Sequence, residues 1–165
     1  MDRKLGILIG LLVLVGALVA VILIGRGGGS DDSGSTDLKD LKTKPVIEAS
    51  SDPAPTTLQK EDIVVGDGAE AKAGDKVSVQ YVGALYDTGK EFDASWDRGQ
   101  PFEFTLGGGE VIKGWDEGVE GMKVGGRRKL IIPPDLGYGA QGSPPTIPAN
   151  ATLVFIVDLT DVQGK

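Results

Sequence analysis

The stretch Gly109-Glu110-Val111-Ile112-Lys113-Gly114-Trp115-Asp116-Glu117-Gly118-Val119-Glu120-Gly121-Met122 decides how the chain folds. Ile112, Trp115, Val119 and Met122 recur at helical spacing, which predicts a helix between Val111 and Gly121. Gly114 and Gly118 weaken that helix, so it should be short and held by tertiary packing. On both sides the period changes to that of strands. Val77, Val79 and Tyr81 alternate with Lys76, Ser78 and Gln80, as in a half-buried strand. Asp87-Thr88-Gly89-Lys90 is a turn signal before Phe92. Phe102, Phe104 and Leu106 alternate again, and Leu130-Ile131-Ile132 is a short strand stopped by Pro133-Pro134. Thr152 to Leu159 is nearly all β-branched or apolar, which fits a strand buried on both faces. The fold class is therefore α+β, with a curved antiparallel sheet wrapped around one short helix.

Composition limits the chemistry. The 165 residues include no Cys and no His. Disulfides, thiolate zinc sites, Cys nucleophiles and Ser-His-Asp triads are all excluded. No metal site and no cofactor are expected. The net charge of −7 argues against binding to nucleic-acid phosphates. The chain holds two Trp, three Tyr and four Phe, and most of them sit in or near four segments. These are Gln80-Tyr81-Val82-Gly83, Glu91-Phe92-Asp93-Ala94-Ser95, Glu110 to Trp115 and Gly137-Tyr138-Gly139-Ala140. An aromatic-lined pocket with a few polar groups is the usual build of a small-ligand or peptide site.

Other motifs carry less. Gly137-Tyr138-Gly139-Ala140-Gln141-Gly142 matches G-x-G-x-x-G, but the prolines that follow forbid the helix a dinucleotide site requires. Gly107-Gly108-Gly109 reads as a turn, since no Walker lysine follows it. Arg127-Arg128-Lys129 reads as a solvated face at a strand edge. Asn150-Ala151-Thr152 matches the glycosylation pattern.

The N-terminal region reads separately. Leu5 to Ile24 is an uncharged run rich in Leu, Ile and Val, and as a helix it would be about 30 Å long, the thickness of a bilayer core. Arg3, Lys4 and the amino group outnumber Arg26 alone, so the N-terminus is expected in the cytoplasm and the rest across the membrane. The rival reading is a signal peptide cleaved near Gly25-Arg26-Gly27, with a secreted product. The expected organisation is a signal-anchor helix over 1–25, a flexible linker over 26–59 and a folded domain over 60–165. The linker is rich in Gly, Ser and Asp and would span roughly 30–35 Å.

Six segments in order strongly resemble the FKBP-type peptidyl-prolyl cis-trans isomerases. They are Tyr81-Val82-Gly83, Gly89 to Ser95, Pro101-Phe102-Glu103-Phe104, Gly109 to Gly118, Pro134 to Gly139 and Ile147 to Phe155. The resemblance runs from about Asp62 to Val162 and implies a five- or six-stranded antiparallel sheet around one short helix. It implies that Trp115 floors a slot for the substrate proline ring, with Tyr81, Phe92, Phe102, Val111, Ile112 and Phe155 as its walls. Asp93 and Tyr138 would form the polar rim, the Tyr138 hydroxyl and the Ile112 N–H donating to the bound peptide. Ile147 would sit in the overhanging loop, and Arg98 would support Asp93 and Tyr81. The implied activity is rotation of X–Pro bonds without a covalent intermediate, on proline-containing polypeptides. The macrolides tacrolimus and rapamycin are implied as ligands, and the protein is expected to be a monomer. The alternative is a non-catalytic, membrane-tethered module that binds proline peptides. A carboxylate-pair hydrolase built on Asp93 is a third reading. Ser143 and Thr146 depart from residues common in the family, and the short 135–148 loop leaves no room for an inserted chaperone domain.

Overall fold

Val77, Val79 and Tyr81, alternating with Lys76, Ser78 and Gln80, begin the strand Lys76–Leu85, which pairs with three others. A computed structural model describes residues 37–165. The expected membrane helix over 1–25 lies outside the described residues, among which no helix is long and apolar enough to cross a membrane. The elements are β1 (Gln59–Val64), β2 (Lys76–Leu85), β3 (Glu91–Ala94), β4 (Phe102–Thr105), α1 (Lys113–Val119), β5 (Arg127–Ile132) and β6 (Leu153–Gln163). All strand pairs are antiparallel. The sheet order is β1-β5-β6-β2-β3, and β4 also pairs with β2. The expected α+β architecture is present, with six strands and one α-helix among the described residues. The strand absent from the sequence reading is β1, a charged edge strand whose Lys60-Glu61-Asp62 hides its period.

One face of the sheet wraps the helix. Val77, Val79 and Tyr81 of β2, Leu130 and Ile132 of β5, and Leu153, Phe155, Val157 and Leu159 of β6 form the main core with Trp115, Val119 and Met122. The two helix glycines have a positive purpose here. A Cβ on Gly114 would lie 2.5 Å from Ile132, and one on Gly118 would lie 2.7 Å from Leu130. Their absent side chains let α1 lie directly on β5 and drive Trp115 into the concave face.

The Arg127-Arg128-Lys129 run is not a solvated face. Arg127 is completely buried and Arg128 nearly so. Arg127 points to the back of the sheet and grips the carboxylate of Asp158 with two bonds of 2.5 and 2.7 Å. Its remaining N–H groups donate to the carbonyls of Leu38, Asp40 and Thr43 at 2.8, 3.2 and 3.3 Å. All the donors of the guanidinium are thereby used. Arg128 points the other way, pairs with Asp62 at 2.7 Å, and donates to the carbonyls of Gly118 and Glu120 at the end of α1. A cation is favourable at that end of a helix.

The stretch expected as flexible linker is, over residues 37–50, a strap packed on the back of the sheet. Pro45 is buried. Ile47 packs on Tyr86, Ile131 and Val154. The Ser50 N–H and hydroxyl bind the Tyr86 carbonyl and hydroxyl at 2.9 and 3.0 Å. Backbone carbonyls and two apolar side chains hold the strap, so its polar composition does not announce it. Because the strap covers that face, β6 is buried on both sides from Leu153 to Leu159.

The Arg127–Asp158 pair gives a direct test. Asp158→Ala leaves a fully buried guanidinium without its carboxylate, a loss expected to cost about 3–5 kcal/mol of unfolding free energy. Urea denaturation measures it, and a loss below about 1 kcal/mol would show the pair to be as weak as an exposed one.

Candidate active site

The outer edge beside β2 is split. β4 pairs with Lys76–Val79 and β3 with Val82–Ala84, so Gln80 and Tyr81 face a gap. The chain crosses that gap as a 3-10 turn, Ser95–Arg98, ended by Gly99 in the left-handed region. Ser95, fully buried, replaces the missing ladder: its Oγ accepts from the Tyr81 N–H at 2.8 Å and donates to Gln80 Oε1 at 2.5 Å. The excursion brings Asp93 and Arg98 to the Tyr81 side chain.

These three side chains form a closed polar triangle. The Tyr81 hydroxyl donates to Asp93 Oδ2 at 2.5 Å and accepts from Arg98 Nη2 at 2.8 Å. Arg98 Nη1 donates to Asp93 Oδ1 at 2.6 Å, and the guanidinium lies 5.6 Å from the centre of the Tyr81 ring. Burial pushes the Tyr81 phenol up to about 12, helped by the Asp93 carboxylate and opposed by Arg98. Tyr81 is thus a neutral, fixed hydroxyl. Both Asp93 oxygens are occupied, which suits a positioned carboxylate and does not suit the general base of a hydrolase.

Next to the triangle is a nest of rings. Trp115 meets Tyr81, Phe155 and Phe102 edge-on, with centroids 4.9, 5.2 and 6.1 Å away. Phe92 meets Phe155 edge-on at 5.5 Å. Such arrangements suit the ring quadrupoles. Gly83, paired across the ladder with Phe155, makes room for them. A Cβ there would lie 2.6 Å from Phe155 and 2.9 Å from Phe92. The Trp115 indole nitrogen is buried without a hydrogen-bond partner, so this residue serves by size and shape.

The remaining expected site residues fall around the nest. Val111 and Ile112 are half-buried and pack on the main core. The Ile112 carbonyl receives the first N–H groups of α1, whereas its own N–H has no protein acceptor among the described residues. Phe102 and Tyr138 are the large residues of this region left exposed, at 37% and 41%. The Tyr138 hydroxyl makes no hydrogen bond to the described residues. Its pKa is raised by burial and then by the charge of Asp93, which places the phenol within that carboxylate's field. Ile147 is buried in the main core, where it pins the loop. Ser143 and Ile147 exchange backbone bonds of 2.8 and 2.9 Å, and the Asn150 N–H closes the loop on the Gly139 carbonyl at 2.9 Å.

The sequence reading missed three contributors. Phe104 stacks on Phe102 at 5.8 Å and lies 5.6 Å from Trp115, a role hidden by its place in a regular strand alternation. Ser95 bridges Gln80 and Tyr81, a function that depends on the split edge and has no motif of its own. Lys44 binds Glu91 and Asp97, each at 2.8 Å, from a stretch with no visible motif.

Residues 68–160 match the family model described as FKBP-type peptidyl-prolyl cis-trans isomerase. The chain is 55% identical over 116 residues to a probable FK506-binding protein of Corynebacterium glutamicum, covering 70% of this chain and 96% of that protein. It is 57% identical over 96 residues to the peptidyl-prolyl cis-trans isomerase FKBP15-2 of Arabidopsis thaliana, covering 58% of each. The crystal structure of AtFKBP13 superposes with a TM-score of 0.60 at 41% identity, over 67% of this chain and 96% of that one.

The ring nest makes Gly83 a sensitive position. Gly83→Ala should displace Phe155 and Phe92 and lower the unfolding free energy by about 1–3 kcal/mol. The near-ultraviolet circular dichroism of the rings should change with it. An unchanged spectrum and melting curve would show that the rings have room to yield.

Proposed function

We infer the working of the site from one premise: this chain belongs to the FKBP-type peptidyl-prolyl cis-trans isomerase family. It is an isomerase of X–Pro peptide bonds. The observation that carries the residue-level reading is the conjunction of a water-poor ring nest with two unpartnered donors at its rim. The binding-only reading has no such support, since no pocket residue expected of the enzyme is missing.

Rotation about an X–Pro amide crosses a barrier of about 18–20 kcal/mol because resonance is lost. No nucleophile is needed, so a chain without His or Cys is suited to the task. The twisted amide is less charge-separated than the planar one, and a slot of aromatic rings favours it relative to water. Only interactions stronger in the twisted state accelerate the reaction. In this proposal the proline ring rests on Trp115 between Tyr81, Phe92, Phe102 and Phe155, with Val111 and Ile112 at the side. The Ile112 N–H and the Tyr138 hydroxyl hold the peptide on either side of the turning bond. Asp93 and Arg98 keep Tyr81 in place, and Ile147 sets the loop that bears Tyr138.

The natural substrates are proline-containing polypeptides during folding. The slot also suits tacrolimus (FK506) and rapamycin, which the naming of the relatives as FK506-binding proteins supports. We further propose that the run Leu5–Ile24 anchors the protein, as a monomer, with the isomerase domain outside the cytoplasm. The length and apolarity of that run and its flanking charges support the anchor and its orientation. Deleting residues 1–26 should move the protein from the membrane pellet to the supernatant, and an unchanged distribution would refute the anchor.

The enzymatic reading is tested with the purified full chain, kept in mild detergent, on a short X–Pro peptide. Acceleration abolished by tacrolimus is expected. Tyr138→Phe removes one donor and should lower kcat/KM about three- to tenfold. Asp93→Ala strips Tyr81 and Arg98 of their acceptor and should lower it about 10- to 100-fold with the fold retained. Wild-type turnover in Asp93→Ala would refute the assigned rim. Because the Tyr81 and Tyr138 phenols are both raised above the ordinary 10, they remain protonated donors throughout neutrality. The rate should therefore be flat from about pH 6 to 9, and any alkaline loss should come later; a bell centred near neutrality would point to acid–base catalysis instead.

A further inference from the structure

The segment Glu91–Arg98 carries three carboxylates, Glu91, Asp93 and Asp97, and the cations paired with them are Lys44 and Arg98. Lys44 belongs to the strap on the back of the sheet. Its ammonium stands 2.8 Å from both Glu91 and Asp97, which lie at the two ends of the stretch that bears Asp93. Arg98 is committed to Asp93 and to the Tyr81 hydroxyl, at 2.6 and 2.8 Å. Asp97 is the chain neighbour of Arg98. The Lys44 contact holds the Asp97 carboxyl below its ordinary range, and Arg98 contributes less. The division is therefore one cation for the two outer carboxylates and one for the rim.

We propose that Lys44 is a positioning residue for the isomerase reaction: by occupying Glu91 and Asp97 it keeps Arg98 on Asp93 and Tyr81. The inference rests on the isomerase reading of that rim. With Lys44 absent, the uncompensated Asp97 competes with Asp93 for Arg98. The Asp93–Tyr81 hydrogen bond then loses its third member, and the wall of the slot loosens. The strap thereby acts on the front of the sheet from behind, through an ion pair and not through a contact with substrate. Each arm of the pair is partly exposed, so the effect is modest and is weakened by salt.

The test uses the full chain and the X–Pro peptide assay, with urea denaturation of every variant. Lys44→Ala should lower kcat/KM by about two- to fivefold while remaining fully folded at the assay temperature. Lys44→Arg should keep wild-type activity. Removing the competitor should reverse the defect: Asp97→Asn in the Lys44→Ala background should return most of the lost activity, although it adds no contact. A purely structural role for Lys44 would not give that rescue. Wild-type activity in Lys44→Ala, or a double variant no better than the single one, would overturn the proposal and leave the isomerase reading intact. An inactive wild-type chain would overturn both.

Discussion

The distance at which α1 lies on β5 is the constraint from which the rest follows. Gly114 over Ile132 and Gly118 over Leu130 set that distance, since any side chain at either place would meet the sheet. A close helix carries Trp115 into the concave face, where Tyr81, Phe102 and Phe155 surround it edge-on. A helix with larger residues at those positions would stand off, and the indole would be lifted from its nest. The cost in helix propensity of two glycines, about 1 kcal/mol each, is offset by the packing they permit. Close packing and pocket shape are one property here.

The two faces of the sheet divide the work. The concave face holds the helix and the rings. The back face holds a buried ion pair and the strap of residues 37–50. Adjacent arginines on β5 mark the division, because consecutive strand residues point to opposite sides. Arg127 joins the strap to Asp158, and Arg128 joins the end of α1 to β1 through Asp62. Both are buried, and every side-chain nitrogen of each has an acceptor. That is the condition under which charge in an interior is tolerable.

Periodicity exposed what periodicity controls. The alternation at Val77, Val79 and Tyr81 and the helical recurrence of Ile112, Trp115, Val119 and Met122 are direct prints of burial, and they located the core. The aromatic segments pointed to rings that the fold gathers around Trp115. Other features leave no such print. β1 is an edge strand, so its charged residues conceal its period. The strap is held largely by its carbonyls, which every residue possesses, so Asp, Lys and Ser there resemble an unstructured tether. Arg127 looked solvated because its acceptors, Leu38, Asp40 and Thr43, are distant in sequence and lie on the main chain. The function of Ser95 depends on the split between β3 and β4, which is a fact of pairing and not of composition.

The order of the strands has a consequence for biosynthesis. β6, the last of these strands in chain order, is not an edge; it lies between β5 and β2 and pairs with both. Until it arrives, the β1–β5 pair and the β2–β3–β4 group are two unjoined half-sheets, each with an open flank. The full sheet therefore cannot be completed strand by strand from the N-terminus. It closes when β6 pairs with both halves, through contacts distant in sequence of the kind that slow folding. A folding catalyst of this design is itself among the proteins that must wait for their final strand.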